Sequence, residues 1–460
     1  MKLLALMLSL SFLVLIHEGG HFLFARLFKT RVDKFYLFFN PWFSLLRAKK
    51  YDGKWHFSFF STKSPEEFAK HPDNTEWGIG WLPFGGFCEI AGMIDENNTD
   101  ASKLSSEPQP WEYRTKKAWQ RLLIISGGVL VNFIGALVIY SAIMFAWGTD
   151  ELPLRNVPYG YDYNQTAQKY GFKNGDYILS IDGKQMNQMK DVVSDILLDG
   201  GKDVKVLRGS DTVAIKLPDS FAKEMVGAGE KQFAMARFPF VIGGFTDNAI
   251  GKKAGLMVGD SLVAVNSQQT SSFSEFASKI SRYAGSKVTV AYYRNNKLDS
   301  LSMVLDKDGK IGAYCKDFTA DIKTEHTSYG FLESIPKGIS VGFSTLVSYV
   351  KQFKIVFSKE GASQLGGFGT IGSLFPSTWD WQIFWNMTAF LSIILAFMNI
   401  LPIPALDGGH VLFTLWEMIT GRKPSDKFLE RAQVIGMILL FALLIYANGN
   451  DLIRWISGKL

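Results

Sequence analysis

Apolar positions in this chain gather at its two ends and leave a polar middle from about Asp150 to His326. Leu122–Trp147 runs without a charge, long enough to cross a hydrocarbon core of about 30 Å. Ile383–Leu401 is a second such run, and Val434–Ala447 a shorter third with uncharged polar flanks. Leu3–Ile16, after Lys2, has the look of a secretory signal. No small-x-small cleavage site follows it, and HEGGHFLFA continues the apolar face to Ala25. Four spans are therefore expected, near 4–25, 120–147, 382–402 and 432–449.

The middle contains a repeat: Tyr170–Gly183 aligns with Ala254–Ser267. In each copy a Gly-Asp turn (Gly175-Asp176, Gly259-Asp260) feeds an alternating strand, which ends in a tight turn at Asp182-Gly183 or Asn266-Ser267. Helical stretches at Met189–Leu198 and Ser272–Tyr283 come next, then strands at Lys202–Leu207 and Lys287–Tyr293. Both copies resemble the bacterial form of the PDZ domain. That resemblance implies either capture of an extended peptide on a sheet edge, near Asn156–Tyr161 and Phe240–Gly243, or a steric, gating role. Ser334–Phe357 follows, with Ile335, Ile339, Phe343, Leu346, Val347, Val350 and Phe353 set among Lys337, Lys351 and Lys354. It reads as amphipathic helix fit to lie on the outer membrane surface.

Charge supplies the orientation. Arg26, Lys29, Arg31 and Lys34 follow the first span, and Arg114, Lys116, Lys117 and Arg121 precede the second. Arg422, Lys423, Lys427 and Arg431 join the last two, whereas Lys2, Arg454 and Lys459 are fewer. The basic loops are expected to face the cytoplasm, with the termini and the middle outside. The net charge of +6 suits anionic headgroups. The basic residues flank spans without forming a patch, so no nucleic-acid partner is expected. Cys88 and Cys315 fall on opposite sides in this topology and are expected to stay unpaired.

The first span ends in His17-Glu18-Gly19-Gly20-His21. Positions i and i+4 share a helix face, so both imidazoles can reach one cation, with Glu18 about 100° away and able to approach its water. Polar side chains inside an apolar span are costly and mark functional sites. A catalytic zinc site wants a third protein ligand, and the residues after His21 supply none. The candidate is Asp407, in Asn399-Ile-Leu-Pro402-Ile-Pro404-Ala-Leu-Asp407-Gly408-Gly409-His410 at the end of the third span. Pro402 and Pro404 deny a regular helix there, and such backbone at membrane depth is tolerated only inside protein or along a water cavity. Both motifs sit at the cytoplasmic ends of their spans in the expected topology.

Together, H-E-x-x-H in the first span and N-x-x-P-x-P-x-L-D-G-G-H in the third resemble the site-2 protease family of intramembrane metalloproteases. Two PDZ-like modules between the second and third spans narrow this to the bacterial type that regulates sigma E. The resemblance implies zinc held by His17, His21 and Asp407, with Glu18 as general base; His410 ends the motif without a ligand role. Gly80–Cys88 looks like the family's membrane-associated β-hairpin loop, which implies substrate contact at Gly85 and Gly86. Asn399 is read either as a substrate-positioning residue or as a bridge within the bundle. Asn132 matches a family asparagine, whereas Val129 and Phe368 stand where prolines are usual.

The fold expected is a polytopic α-helical membrane protein with four transmembrane helices, a membrane-associated β-hairpin loop and two inserted PDZ-like α+β domains. Its parts are the first two spans and glycine-rich loop (1–150), the PDZ-like domains (151–235 and 236–320), an interfacial linker (321–380) and the last two spans (381–460). The expected substrates are single-pass proteins of the inner membrane, such as anti-sigma factors and remnant signal peptides. A scaffold using the PDZ pair alone would not need Glu18 or Asp407. A metal transporter would scatter its charges along several spans.

Overall fold

The structure is a computed structural model, described for residues 1–93, 107–228, 232–318, 322–356 and 365–456. Phe357, Lys459 and the expected boundary at 320/321 lie outside these. The chain forms two compact units, Met1–Gly148 with Ser328–Leu460, and Thr149–Thr327.

Among the described residues of the first unit, four helices are long and apolar enough to cross a bilayer. They are span 1 (Lys2–Leu27), span 2 (Ala118–Trp147), span 3 (Trp381–Ile400) and span 4 (Asp426–Ile456). Helices satisfy their own backbone, which is what permits such runs in hydrocarbon. Spans 1 and 2 cross with their backbones nearly touching: a Cβ on Gly20 would lie 2.3 Å from the Gly127 carbonyl oxygen. Small residues are what allow that approach. Val129 lies inside the unbroken helix of span 2.

The expected amphipathic stretch falls on the helix Phe331–Val356. It packs antiparallel along span 2, with ring pairs Phe331–Phe145 and Phe343–Phe133, and reaches span 3 through Tyr349 and Phe353 against Phe397. The small stripe Ser334, Gly338 and Gly342 is buried in this contact. Ile335, Ile339, Phe343 and Val347 stay exposed. Apolar periodicity pointed to the exposed face, whereas close packing between membrane helices uses the small one.

Between spans 1 and 2 lies a five-stranded sheet, not a hairpin. Its strands are β1 (Val32–Phe39), β2 (Ser44–Tyr51), β3 (Lys54–Ser61), β4 (Glu76–Ile79) and β5 (Leu82–Ile90), in the order β3-β2-β4-β1-β5. β4 pairs parallel and β5 antiparallel with β1, which separates them. β5 is therefore a sheet edge. The sheet is locked by buried Glu76, which accepts from Tyr36 Oη at 2.5 Å and Arg47 Nη1 at 3.0 Å.

The second unit has its two chain ends tied by β6 (Thr149–Glu151) against β19 (Glu325–Thr327). Its first half holds β7 (Tyr161–Tyr163), β8 (Tyr177–Ile181), β9 (Lys184–Gln185), β10 (Asp203–Arg208), β11 (Asp211–Lys216) and β12 (Ala234–Ala236), with the helix Met189–Leu197. Its second half holds β13 (Phe240–Phe245), β14 (Ser261–Val265), β15 (Gln268–Gln269), β16 (Lys287–Arg294), β17 (Lys297–Val304) and β18 (Ala313–Cys315), with the helix Phe273–Ile280. β12 pairs with β7, so Ala236 belongs with the first half.

The repeated Gly-Asp has a clear use. Asp176 and Asp260, each 1% exposed, take two hydrogen bonds apiece from Arg208 and Arg294 at the ends of β10 and β16. The expected recognition loop at Phe240–Gly243 is instead strand β13, paired on both sides by β14 and β18. Among the described residues the edges of this sheet are β17 and β18, and β18 is the one beside β13. In the first half, Asn156 ends a 3-10 turn and Tyr161 begins β7. Neither cysteine forms a disulfide.

Candidate metal centre

His17 and His21 stand one turn apart at the buried end of span 1, with Nε2 atoms 3.3 Å from each other. Asp407 comes from 386–390 residues away in sequence, yet its Oδ2 lies 3.2 Å from His17 Nε2 and 3.4 Å from His21 Nε2. Three donors on a tetrahedral ion with bonds of about 2.0–2.1 Å stand roughly 3.3–3.4 Å apart. The triangle has that size, and Asp407 Oδ2 is buried with no hydrogen-bond donor facing it. A carboxylate oxygen left so is costly unless a cation meets it. The residues present therefore fit zinc.

Span 2 sets the direction of both rings. His21 Nδ1 lies 3.0 Å from the Ile124 carbonyl oxygen, which can only accept. The proton is on Nδ1, and the Nε2 lone pair faces Asp407. His17 Nδ1 lies 3.0 Å from the side-chain amide of Asn132, whose Oδ1 has no other partner. With the amide turned so that Oδ1 faces the ring, it accepts from Nδ1–H and leaves His17 Nε2 to ligate. Such partners fix ligand tautomers in metal sites. Ser392 of span 3 donates to the Asn132 carbonyl at 2.7 Å, holding that part of span 2 in turn.

Asp407 is the first residue of a separate helix, Asp407–Thr420. The preceding turn is irregular around Pro402 and Pro404, and Ala405 sits at φ 75°. Gly408 and Gly409 fold the new helix back on this turn: Cβ atoms there would meet the Leu401 and Ile403 carbonyl oxygens at 2.0 and 2.7 Å.

A cavity of about 400 Å³ opens over the three donors. The candidate ligand, base and substrate residues from the sequence all line it: His17, Glu18, His21, Gly85, Gly86, Asn399 and Asp407. Glu18 and Cys88 of β5 line the cavity together, and Asn399 Nδ2 lies 3.3 Å from His17 Nε2. Sequence reasoning missed Gln433, which lines the cavity with His410, and gave no purpose to Asn132. It also passed over Gly128, where a Cβ would stand 2.5 Å from His21 Nε2. The pair Gly127-Gly128 within an apolar run was the available signal. Phe368, in the place of a usual proline, uses the N–H a proline lacks to donate to Asn448 Oδ1 at 3.3 Å.

The family model for peptidase family M50 matches residues 5–64 and 57–443. The chain belongs to peptidase family M50. It is similar to a protein of Neisseria meningitidis named as a zinc metalloprotease, 25% identical over 98% of this chain and 99% of that one. A Borreliella burgdorferi protein so named is also 25% identical, over 98% of both chains. The regulator of sigma E protease of Haemophilus influenzae is 25% identical over 97% of both. As an M50 member the chain is a metallopeptidase, and the histidine–aspartate triangle is where its metal fits.

Proposed function

We propose that this M50 peptidase is a multi-pass zinc endopeptidase of the bacterial inner membrane that cuts single-pass membrane proteins in or beside their transmembrane segments. Its substrates would be anti-sigma factors and remnant signal peptides, in keeping with the name of its Haemophilus relative. The observation that carries the reading is the meeting of His17, His21 and Asp407 in one buried cavity with Glu18.

His17, His21 and Asp407 hold the ion, and Glu18 acts as general base. When bound, zinc lowers the pKa of a coordinated water to about 7 and polarises the scissile carbonyl. Glu18 takes a proton from the attacking water and gives it to the departing amine. Gly85 and Gly86 sit on the edge strand β5 at the cavity. Gly86 has no room for a side chain, since a Cβ would meet the Tyr36 carbonyl oxygen at 2.6 Å. Such an edge pairs with a substrate segment that has left its helix, and Asn399 steadies that segment's backbone beside His17. The lysines and arginines flanking the spans support a cytoplasmic metal site and an outward-facing 149–327 unit.

The halves of that unit, near 151–236 and 237–320, are read as PDZ-like domains that keep bulky, untrimmed substrates from the site. The open edge of β18 favours a second role in capturing a peptide ligand as an added strand.

Glu18→Gln tests the central claim. The variant should retain its zinc and lose cleavage of a reconstituted single-pass substrate; sustained turnover would overturn the assigned base.

A further inference from the structure

We propose that Gln433 of span 4, oriented by His410, donates a hydrogen bond to the substrate's carbonyl oxygen as it turns into an oxyanion, making it a catalytic residue. The inference rests on the zinc-peptidase reading. Two of the buried side-chain atoms without a hydrogen-bond partner, among the described residues, belong to residues that line the metal cavity. One is the acceptor Asp407 Oδ2, which a cation satisfies. The other is a donor, Gln433 Nε2, on a side chain only 5% exposed. An unpaired amide N–H inside a membrane bundle is expensive, and the cavity is where an acceptor can reach it.

Local packing aims the amide. Gly436 lies one turn beyond Gln433 on the same helix face, and a Cβ there would stand 1.8 Å from the Pro404 carbonyl oxygen. Span 4 is thereby pressed against the turn that precedes Asp407, which brings Gln433 to the cavity beside His410. The His410 ring and the Gln433 side chain line the same cavity. With its N–H turned to the amide oxygen, the ring takes that acceptor and leaves Nε2–H for the cavity.

The chemistry needs such a donor. The water oxygen bonds to the carbonyl carbon, and the C=O π pair moves onto oxygen as negative charge. Nε2–H of Gln433 donates to that oxygen. When the pair returns, the C–N bond breaks and the amine leaves with the proton held by Glu18. A donor whose partner appears only during reaction stabilises the transition state more than the bound substrate.

The test uses the full-length enzyme, zinc-loaded in detergent, with Gln433→Met and Gln433→Glu. Methionine keeps the length of the side chain, and glutamate keeps an acceptor for His410 without the donor. Four readouts are taken: kcat and KM, zinc content, affinity for a phosphinic peptide that mimics the tetrahedral adduct, and affinity for substrate peptide in a Glu18→Gln background. Both variants should lose about 100-fold in kcat and a similar factor in phosphinic-peptide affinity. KM, substrate-peptide affinity and zinc content should stay within about 2-fold. Unchanged kcat, or equal losses in both peptide affinities or in zinc, would overturn the proposal. A wild-type enzyme without zinc-dependent hydrolysis would instead overturn the functional reading beneath it.

Discussion

Replacing Gly128 by alanine adds one methyl group where span 2 faces the metal ligands. Its Cβ would lie 2.5 Å from His21 Nε2, 2.7 Å from His17 Cε1 and 2.9 Å from His17 Nδ1. Ordinary contact begins near 3.4 Å, so the rings must retreat by about 0.9 and 0.7 Å, against a tolerance of roughly 0.2 Å in metal–ligand distances. Neither ring can swing freely, because each Nδ1 is tied to span 2 through Ile124 and Asn132. Alanine favours the helix by about 1 kcal/mol over glycine, so the melting temperature need not fall while the site fails. Competition with a chromophoric chelator should show zinc affinity reduced by about 100-fold, with kcat/KM falling in parallel. Gly449→Ala, with nothing within 4 Å of the new methyl, is the control and should bind zinc normally. Wild-type zinc affinity in Gly128→Ala would refute the claim that this contact sets the ligand geometry.

Asp407→Ala should purify with little zinc and no activity, and full occupancy by elemental analysis would remove it from the ligand set. Burial alone would raise the Asp260 carboxyl, but its bonds from Arg294 and the Met257 N–H outweigh this and hold it below the usual carboxylate range. A depressed folded-state value means that the stability it lends is complete above about pH 4 and is lost as pH falls through that lower value. Thermal melting between pH 7 and pH 3 should show the second unit weakening only below about pH 4. Asp260→Ala should lower its midpoint by roughly 5 °C at pH 7 and blunt the acid dependence; an identical acid profile would dismiss the pair. Gly338→Leu places side chain where Ser141 N already stands 2.3 Å from a Cβ. It should destabilise the first unit by about 1–3 kcal/mol, and an unshifted melt would show that the helix does not depend on this contact.

The two metal motifs were legible because each is local. His17 and His21 need only helical periodicity, and Pro402, Pro404 and Asp407 fall within six residues. That Asp407 would reach the histidines followed from matching span ends, not from any spacing between them. The repeat was readable for the same local reason, yet its arginine partners lie 32 and 34 residues beyond the aspartates and went unnoticed. The sheet β1–β5 was missed except for its last strand, although Asp52-Gly53 between alternating runs is a hairpin signal; both residues have positive φ. Part of the contact that helix Phe331–Val356 makes with span 2 comes from Ser334, Gly338 and Gly342, which a search for apolar periodicity passes over. Asn132 and Gln433 acquire meaning only from partners on other helices, and no single-sequence rule connects them.

The dependence of both imidazoles on the neighbouring helix bears on anyone wishing to graft this motif elsewhere. Copying the five residues from His17 to His21 would transfer two rings whose protons are free to choose either nitrogen. The working unit is a crossing: a glycine pair thin enough for contact, a carbonyl, and an amide, all borne by a second helix with no ligand of its own. A transplant that omits this silent partner should yield an affinity closer to that of two unconstrained histidines than to that of an enzyme.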